Sequence, residues 1–467
     1  MTIDVLPDDV LLNVFDCYVS KASEVEAWHL LVHVCRRWRS IVFGSPRRLD
    51  LEITCTNRTR VREMLDIWPP LPIFVEGNCG STTCLDNIKA ALKHNDRVRA
   101  IKLYVFCHLE EVFAALDEPF PALKSLNVRS FHDLPSGYPN PLRSLGQSSH
   151  LRTFLLGGIS VPGLPKLLLP CTDLVSFVLS VNPRFGYISP EELFTTLSAL
   201  TRLKRVLLHF ESFRYSPSRR SLPPTRVVLP ALTHFCFKGV TEYLEDVMSR
   251  IDAPLLHHLD ITLDQLDITF DTPELLRFIS RIPKWQTSNK ANVGFGNHKV
   301  WIEFPLPTQI SGDGNMLTLA FVSFIPDRHF PWVVRFCRPP FFPLPKLEYL
   351  YIDGGQYSEL QLEELQRDDA ETTGWLELFQ PFSTVKNLYL SKVFAPRIAP
   401  TLEMLAGERT TEALPTLQNI FLEEFPGPVH GAIGQFVTAR RQLSGNPIAI
   451  RPWDRTGLMQ QDVRSYS

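Results

Sequence analysis

Ten short segments of this chain share one pattern, L-x-x-L-x-L with other apolar residues admitted at each Leu position. They are VRAIKL at Val98, LKSLNV at Leu123, LRTFLL at Leu151, LVSFVL at Leu174, LKRVLL at Leu203, LTHFCF at Leu232, LHHLDI at Leu256, LEYLYI at Leu347, VKNLYL at Val385 and LQNIFL at Leu417. The last two apolar positions alternate with other residues, which is the period of a strand that buries one face. The starts 123, 151, 174, 203, 232 and 256 advance by 28, 23, 29, 29 and 24 residues. That spacing is too short for separate domains but fits a strand, a loop, a helix and a return, and stacked units of this kind bury one another's apolar residues. Helical patterns do lie between strands, as PEELFTTLSAL from Pro190 to Leu200, VTEYLEDVMSRI from Val240 to Ile251 and PELLRFISRI from Pro273 to Ile282. Proline stands just before several strands, at Pro121, Pro230, Pro254, Pro345 and Pro415, which points the same way. The expected fold class is α/β: an irregular solenoid over residues 91–425, with 51–90 connecting to it and starting the array, and 426–467 capping it.

Between the units at Leu256 and Leu347 the chain runs too far for one loop in a compact domain. KANVGF from Lys290, HKVWIEF from His298 and MLTLAFVSF from Met316 read as strands, the first two joined by a short Gly-Asn turn. Part of this stretch is expected to project from the array as a hairpin.

With the apolar template positions inward, the intervening residues face the open side, and equivalent positions of neighbouring units lie about 5 Å apart. Arg205, His209, His234, Lys238 and His258 then form a basic, histidine-rich area. Tyr349, Tyr351, Asp353, Tyr389, Phe421 and Glu423 form an aromatic and acidic one. The two are expected to recognise an extended protein target of mixed charge, with the tyrosines as anchors.

The first 50 residues follow another rule. In LPDDVLLNVFDCY, from Leu6 to Tyr18, Pro7 suits a first helical position and Asp8 and Asp9 favour the first turn. Val10, Leu11, Val14, Phe15 and Tyr18 recur at helical spacing, but Leu12, Cys17 and Val19 widen the apolar surface beyond one stripe. A second helical pattern holds Val25, Trp28, Leu31, Val34 and Cys35, a third holds Trp38, Ile41 and Val42, and Gly44 with Pro46 ends the run. A unit this small gains from sharing burial with a partner.

The LPxDVL and VCRRWR signatures, in this order near the N-terminus, resemble an F-box. The resemblance implies a three-helix F-box over residues 1–50 that docks on the Skp-type adaptor of a cullin-RING ubiquitin ligase, the rest of the chain binding the protein to be ubiquitinated. It implies adaptor contacts at Leu6, Pro7, Val10, Leu11, Val14, Phe15, Val34, Cys35 and Trp38. The repeats in turn resemble leucine-rich repeats and imply a horseshoe. They depart from that pattern where Asn or Cys is usual: Asn182 fits, but Phe131, Ile159, Glu211, Val240 and Gly355 do not, so the turns are expected to be held mainly by packing. FKGVTEYLEDVMSRIDAPLLHHLDI, FISRIP and ARRQLSGNPIAIRPW are similar to the repeat region of F-box proteins from mushroom-type fungi.

Composition removes several alternatives. A formal net charge of -2 gives no global attraction to nucleic acid, so no nucleic-acid partner is expected. No apolar run is long enough for a membrane span and no secretory signal is evident, so cytoplasm or nucleus is expected, with no membrane partner. The nine cysteines are scattered without regular pairing and read as reduced thiols. His29 and His33 have the spacing of a helical zinc pair, but Leu30 stands where a metalloprotease has its Glu, and Cys79, Cys84 and Cys107 lack zinc-ribbon spacing and read as unpaired thiols in a loop. Gly294 and Gly296 begin a G-x-G whose sixth position is Lys299, so a hairpin turn explains them. The basic segment from Arg214 to Arg226 reads as a solvated proline-rich loop. No phosphate loop, nucleophile elbow or kinase signature set occurs. The expectation is a non-enzymatic substrate receptor without cofactor or metal, whose partners are the adaptor, through it the ligase, and an unknown target. The alternative is an interaction scaffold that promotes no ubiquitination.

Overall fold

The computed structural model describes residues 5–19, 30–44, 51–67, 70–132, 142–144, 148–159, 161, 163–181, 188–210, 226–264, 272–296, 298–305, 316–322, 329–337, 346–354, 370–405, 413–423, 427–444 and 447–454. The chain divides into two compact units, Met1–Leu203 and Lys204–Ser467.

The first unit begins with helices α1 (Asp8–Val19) and α2 (Arg36–Gly44), between which residues 30–34 are also helical. Its strands are β1 (Leu51–Cys55), β2 (Ile73–Cys79), β3 (Val98–Val105), β4 (Ser125–Ser130), β5 (Thr153–Gly157) and β6 (Ser176–Val181), and they follow one another in the sheet in chain order. All five pairings are parallel, and Ile101, Leu126, Phe154 and Phe177 stand opposite one another on successive strands. The Phe154 and Phe177 rings stack 5.9 Å apart and neither reaches solvent. Parallel neighbours need crossovers, and α3 (Val61–Ile67), α4 (Thr82–Leu92), α5 (Leu109–Leu116), α6 (Leu164–Leu168) and α7 (Pro190–Ser198) lie along the chain between or after them. The start of α7 has a local cause: Ser189 caps the Glu192 N–H at 3.1 Å, Pro190 fills the first turn, and Glu191 and Glu192 match the helix dipole.

The prolines before the strands have a specific task. Phe120 O accepts from Leu123 N–H at 3.1 Å, Leu229 O from Leu232 at 3.2 Å, Ala253 O from Leu256 at 3.1 Å and Leu414 O from Leu417 at 3.1 Å. Each is a β-turn with Pro121, Pro230, Pro254 or Pro415 at its second position, where the ring presets φ, and each delivers the first apolar residue of a repeat. Pro345 lies outside the described residues. Successive turns are also joined by hydroxyls. Ser148 Oγ donates to Phe120 O at 3.0 Å, Thr233 Oγ1 to Lys204 O at 3.1 Å, Thr384 Oγ1 to Leu347 O at 2.9 Å and Thr416 Oγ1 to Val385 O at 3.0 Å. At about 1 kcal/mol each, these bonds supplement the packing expected to hold the turns. Asn182, the one residue that fits the usual Asn position, lies outside the described residues.

In the second unit the strands are β7 (Arg205–Phe210), β8 (Val227–Val228), β9 (His234–Gly239), β10 (Ile251–Asp252), β11 (His258–Asp264), β12 (Lys290–Phe295), β13 (Lys299–Pro305), β14 (Met316–Val322), β15 (Tyr349–Gly354), β16 (Asn387–Leu390), β17 (Asn419–Leu422) and β18 (Ala449–Pro452). Their order is β7-β9-β11-β14-β13-β12-β15-β16-β17-β18, and β8 pairs with β10 separately. The expected projecting hairpin is therefore corrected. Strands β12 and β13 do form an antiparallel pair closed by Gly296 N–H to Lys299 O at 2.7 Å, but both lie in the sheet, with β14 parallel to β11 and β12 parallel to β15. Backbone pairing explains this, since β13 is flanked by β12 and β14 and so has neighbours for its N–H and C=O groups on both edges, while Val300, Ile302 and Phe304 are buried. Gly294 belongs to strand β12 and leaves room for Trp301 opposite, whose ring would stand 2.1 Å from a Cβ there.

Helices α8 (Thr241–Arg250), α9 (Pro273–Ser280), α10 (His329–Cys337), α11 (Ala370–Phe379), α12 (Ala395–Met404) and α13 (Gly427–Ser444), with a 3-10 turn at Pro283–Thr287, complete this unit's described helices. They meet the buried face. Tyr243 of α8 packs on Phe210 at 4.5 Å and on Phe237 at 6.1 Å, and Trp375 of α11 on Phe295 at 5.6 Å. On the other face most strand residues are only part-buried, and this is the open face.

Candidate interaction surfaces

In the first unit, packing sorts the apolar residues of α1 into two stripes. Leu11 and Phe15, four apart, are 0% and 1% exposed, whereas Val10 and Val14, also four apart, are 38% and 44% exposed. The Phe15 ring meets Trp38 of α2 at 4.6 Å. Arg37 ties the elements together, donating to Asp8 Oδ1 at 2.7 Å and to Leu6 O at 2.6 Å. The nine residues expected to touch an adaptor thus separate by role. Val10, Val14, Val34 and Pro7 are exposed, and Leu6, Cys35 and Trp38 are half-buried. For Leu11 and Phe15 the expectation is corrected: in the free chain they are interior and hold the surface from beneath. Sequence reasoning missed Leu30, which is 59% exposed one helical turn before Val34 and extends a second apolar stripe. His29 lies outside the described residues.

On the open face of the second unit the residues chosen from the repeat register do align. Arg205 stands opposite His234, and His234 opposite His258, while His209 stands opposite Lys238. The His234 ring lies 4.8 Å from His257 and 5.4 Å from His258, and Lys238 reaches Asp264 at 3.7 Å. This area is therefore partly neutralised from within. The basic loop lies outside the described residues apart from Arg226.

Toward the C-terminus, Tyr351, Tyr389 and Phe421 stand side by side on β15, β16 and β17. Their rings stack at 4.3 and 4.2 Å, the second pair almost parallel at 3°. Trp453, which sequence reasoning missed, lies against Tyr351 at 6.0 Å and against Tyr389 at 5.6 Å and is itself only 9% exposed. Burial pushes both tyrosine hydroxyls above their ordinary range, most strongly at Tyr351. The two tyrosines are thus anchors of the chain's own C-terminal segment. Tyr349 lies under Lys290 at 5.7 Å, Asp353 stands opposite Gly294, and Glu423 Oε2 accepts from Lys392 N–H at 2.9 Å.

Between these areas runs a row that the template could not show, because β12 to β14 interrupt the repeat. Cys236, Asp260, Thr318, Glu303, Asn292 and Tyr351 face one another in turn across six strands. Burial raises the Asp260 carboxyl above the usual range, while Lys299 and His258 draw it back.

Several cysteines are buried. Burial pushes the thiols of Cys55 and Cys79 up to about 12, and Cys84 Sγ donates to Cys55 O at 3.1 Å. Cys79 ends a strand and Cys84 sits in α4, which corrects the expectation of a loop for both. Among the described residues no group of three or more His, Cys, Asp or Glu is placed to hold a metal ion, and no helix is long and apolar enough to cross a membrane.

No protein-family model matches this sequence, and no curated protein matches it. Among solved structures, the leucine-rich repeat-containing protein LegL7 from Legionella pneumophila is similar, with 11% identity, a TM-score of 0.28 and coverage of 85% of this chain and 98% of that one. A superposition this loose adds no weight of its own, and the repeat architecture rests on the strand registers above.

Proposed function

We propose that this chain is the substrate-recognition subunit of a cullin-RING ubiquitin ligase, binding a Skp-type adaptor through residues 1–50 and a protein target through the open face of its repeats. The observation that carries the proposal is the exposed valine stripe on α1, Val10 and Val14, in a segment whose LPxDVL and VCRRWR signatures resemble an F-box. That stripe stays exposed while Leu11 and Phe15 fill the interior. Its action is proximity. Holding the target beside a ubiquitin-loaded enzyme raises the effective concentration of target lysines, and the chemistry belongs to other subunits.

Reconstitution with adaptor, cullin-RING subunits, ubiquitin and its activating and conjugating enzymes tests this. Ubiquitin transfer to the chain or to a protein it carries is expected, and removal of residues 1–50 should abolish it. Stable adaptor binding without any transfer would favour the alternative, a protein-interaction scaffold.

A further inference from the structure

Resting on the reading of the open face as the target surface, we propose that Asp260 and Thr318 form the seat for a cationic side chain, lysine or arginine, of the bound protein segment. The two residues stand opposite each other on β11 and β14 and point to the same side of the sheet. Strand spacing of about 4.8 Å lets one ammonium group or one edge of a guanidinium reach both. Thr318 is only 5% exposed, yet its Oγ1 has no hydrogen-bond partner, and neither has the buried Oδ1 of Asp260. Buried polar groups are ordinarily satisfied, so an unmatched pair at the centre of a binding face marks a place for a ligand donor.

The sign of the ligand follows from the neighbours. Asn292, further along the row, donates through Nδ2 to Glu303 Oε2 at 3.2 Å and leaves its own Oδ1 without a donor. The row thus carries a surplus of acceptors and two carboxylates. The nearest lysines are directed elsewhere, Lys238 to Asp264 at 3.7 Å and Lys299 over the Trp301 ring at 6.0 Å. An acidic segment would meet Asp260 and Glu303 with like charge, whereas a basic side chain brings several donors and can lay its methylene stem along Trp301. Desolvation raises the Asp260 carboxyl, which accords with a group deprived of water and of a direct cation.

The test uses the full chain and a phage-displayed library of random peptides as the probe. Selected peptides are expected to share a Lys or Arg position, and replacing that residue by Gln should lower binding about tenfold or more. Asp260→Asn and Thr318→Val, both close in shape to the originals, should each give a comparable loss while the thermal midpoint is unchanged. Selection without a shared basic position, no selection at all, or full binding by the Asp260→Asn and Thr318→Val double variant would overturn the seat. Adaptor affinity, measured on the same variants, should not move. Failure of the wild-type chain to select peptides with a shared basic position while it still binds adaptor defeats this inference alone, whereas failure of the wild-type chain to bind adaptor defeats the reading beneath it.

Discussion

Phe15→Asp is expected to unfold the N-terminal helical unit of the otherwise intact chain. Phe15 is 1% exposed, and its ring is the partner of Trp38 at 4.6 Å. Removing a buried phenylalanine costs about 3–5 kcal/mol, and burying a carboxylate in its place adds to that. A helical unit of some 45 residues has little stability in reserve. Hydrogen exchange read on the peptide covering residues 8–19 should show protection lost, while peptides from β4 to β6 keep theirs. Unchanged protection of α1 would place Phe15 on the surface after all.

Position 15 marks where the sequence stops informing. Val10, Leu11, Val14 and Phe15 all fit helical spacing, so the pattern gives two apolar stripes without saying which faces inward. That choice belongs to α2 and residues 30–34, which the register of α1 alone does not contain. The strands behaved differently. Alternation around Leu126, Phe154, Phe177 and Phe235 foretold burial because each unit repeats its neighbour's environment, and the prolines marked turns because ring geometry acts locally. The in-sheet placement of β12 to β14 was hidden, since strand direction is a property of partners. So was Trp453, whose contact with Tyr389 joins residues 64 apart in sequence.

Gly158→Ala is expected to destabilise the first unit by about 3 kcal/mol or more. Gly158 has φ +71°, where an L-residue is strained by roughly 1–2 kcal/mol, and a Cβ there would stand 1.8 Å from the Ser130 carbonyl oxygen. The close approach cannot simply open, because Gly158 N–H also donates to Ser180 O at 2.7 Å and so joins β5 to the end of β6. Among 23 glycines the sequence gives no sign that this one is needed for close approach. Gly80→Ala is the control, since a Cβ there would meet nothing within 4 Å, and it should stay within about 0.5 kcal/mol of wild type. Denaturant unfolding of both variants checks the contrast, and equal midpoints would show that the β4 to β5 contact yields freely.

Calorimetric titration of a purified Skp-type adaptor with the full chain, wild type and Val14→Asp, tests the central claim most directly. Val14 is 44% exposed, so its replacement should leave α1 folded while placing a charge in the proposed contact. The account predicts saturable binding by the wild type and a loss of about 2 kcal/mol or more, some thirtyfold in affinity, for Val14→Asp with hydrogen-exchange protection of α1 retained. No binding by the wild-type chain, or equal binding by both, would contradict it.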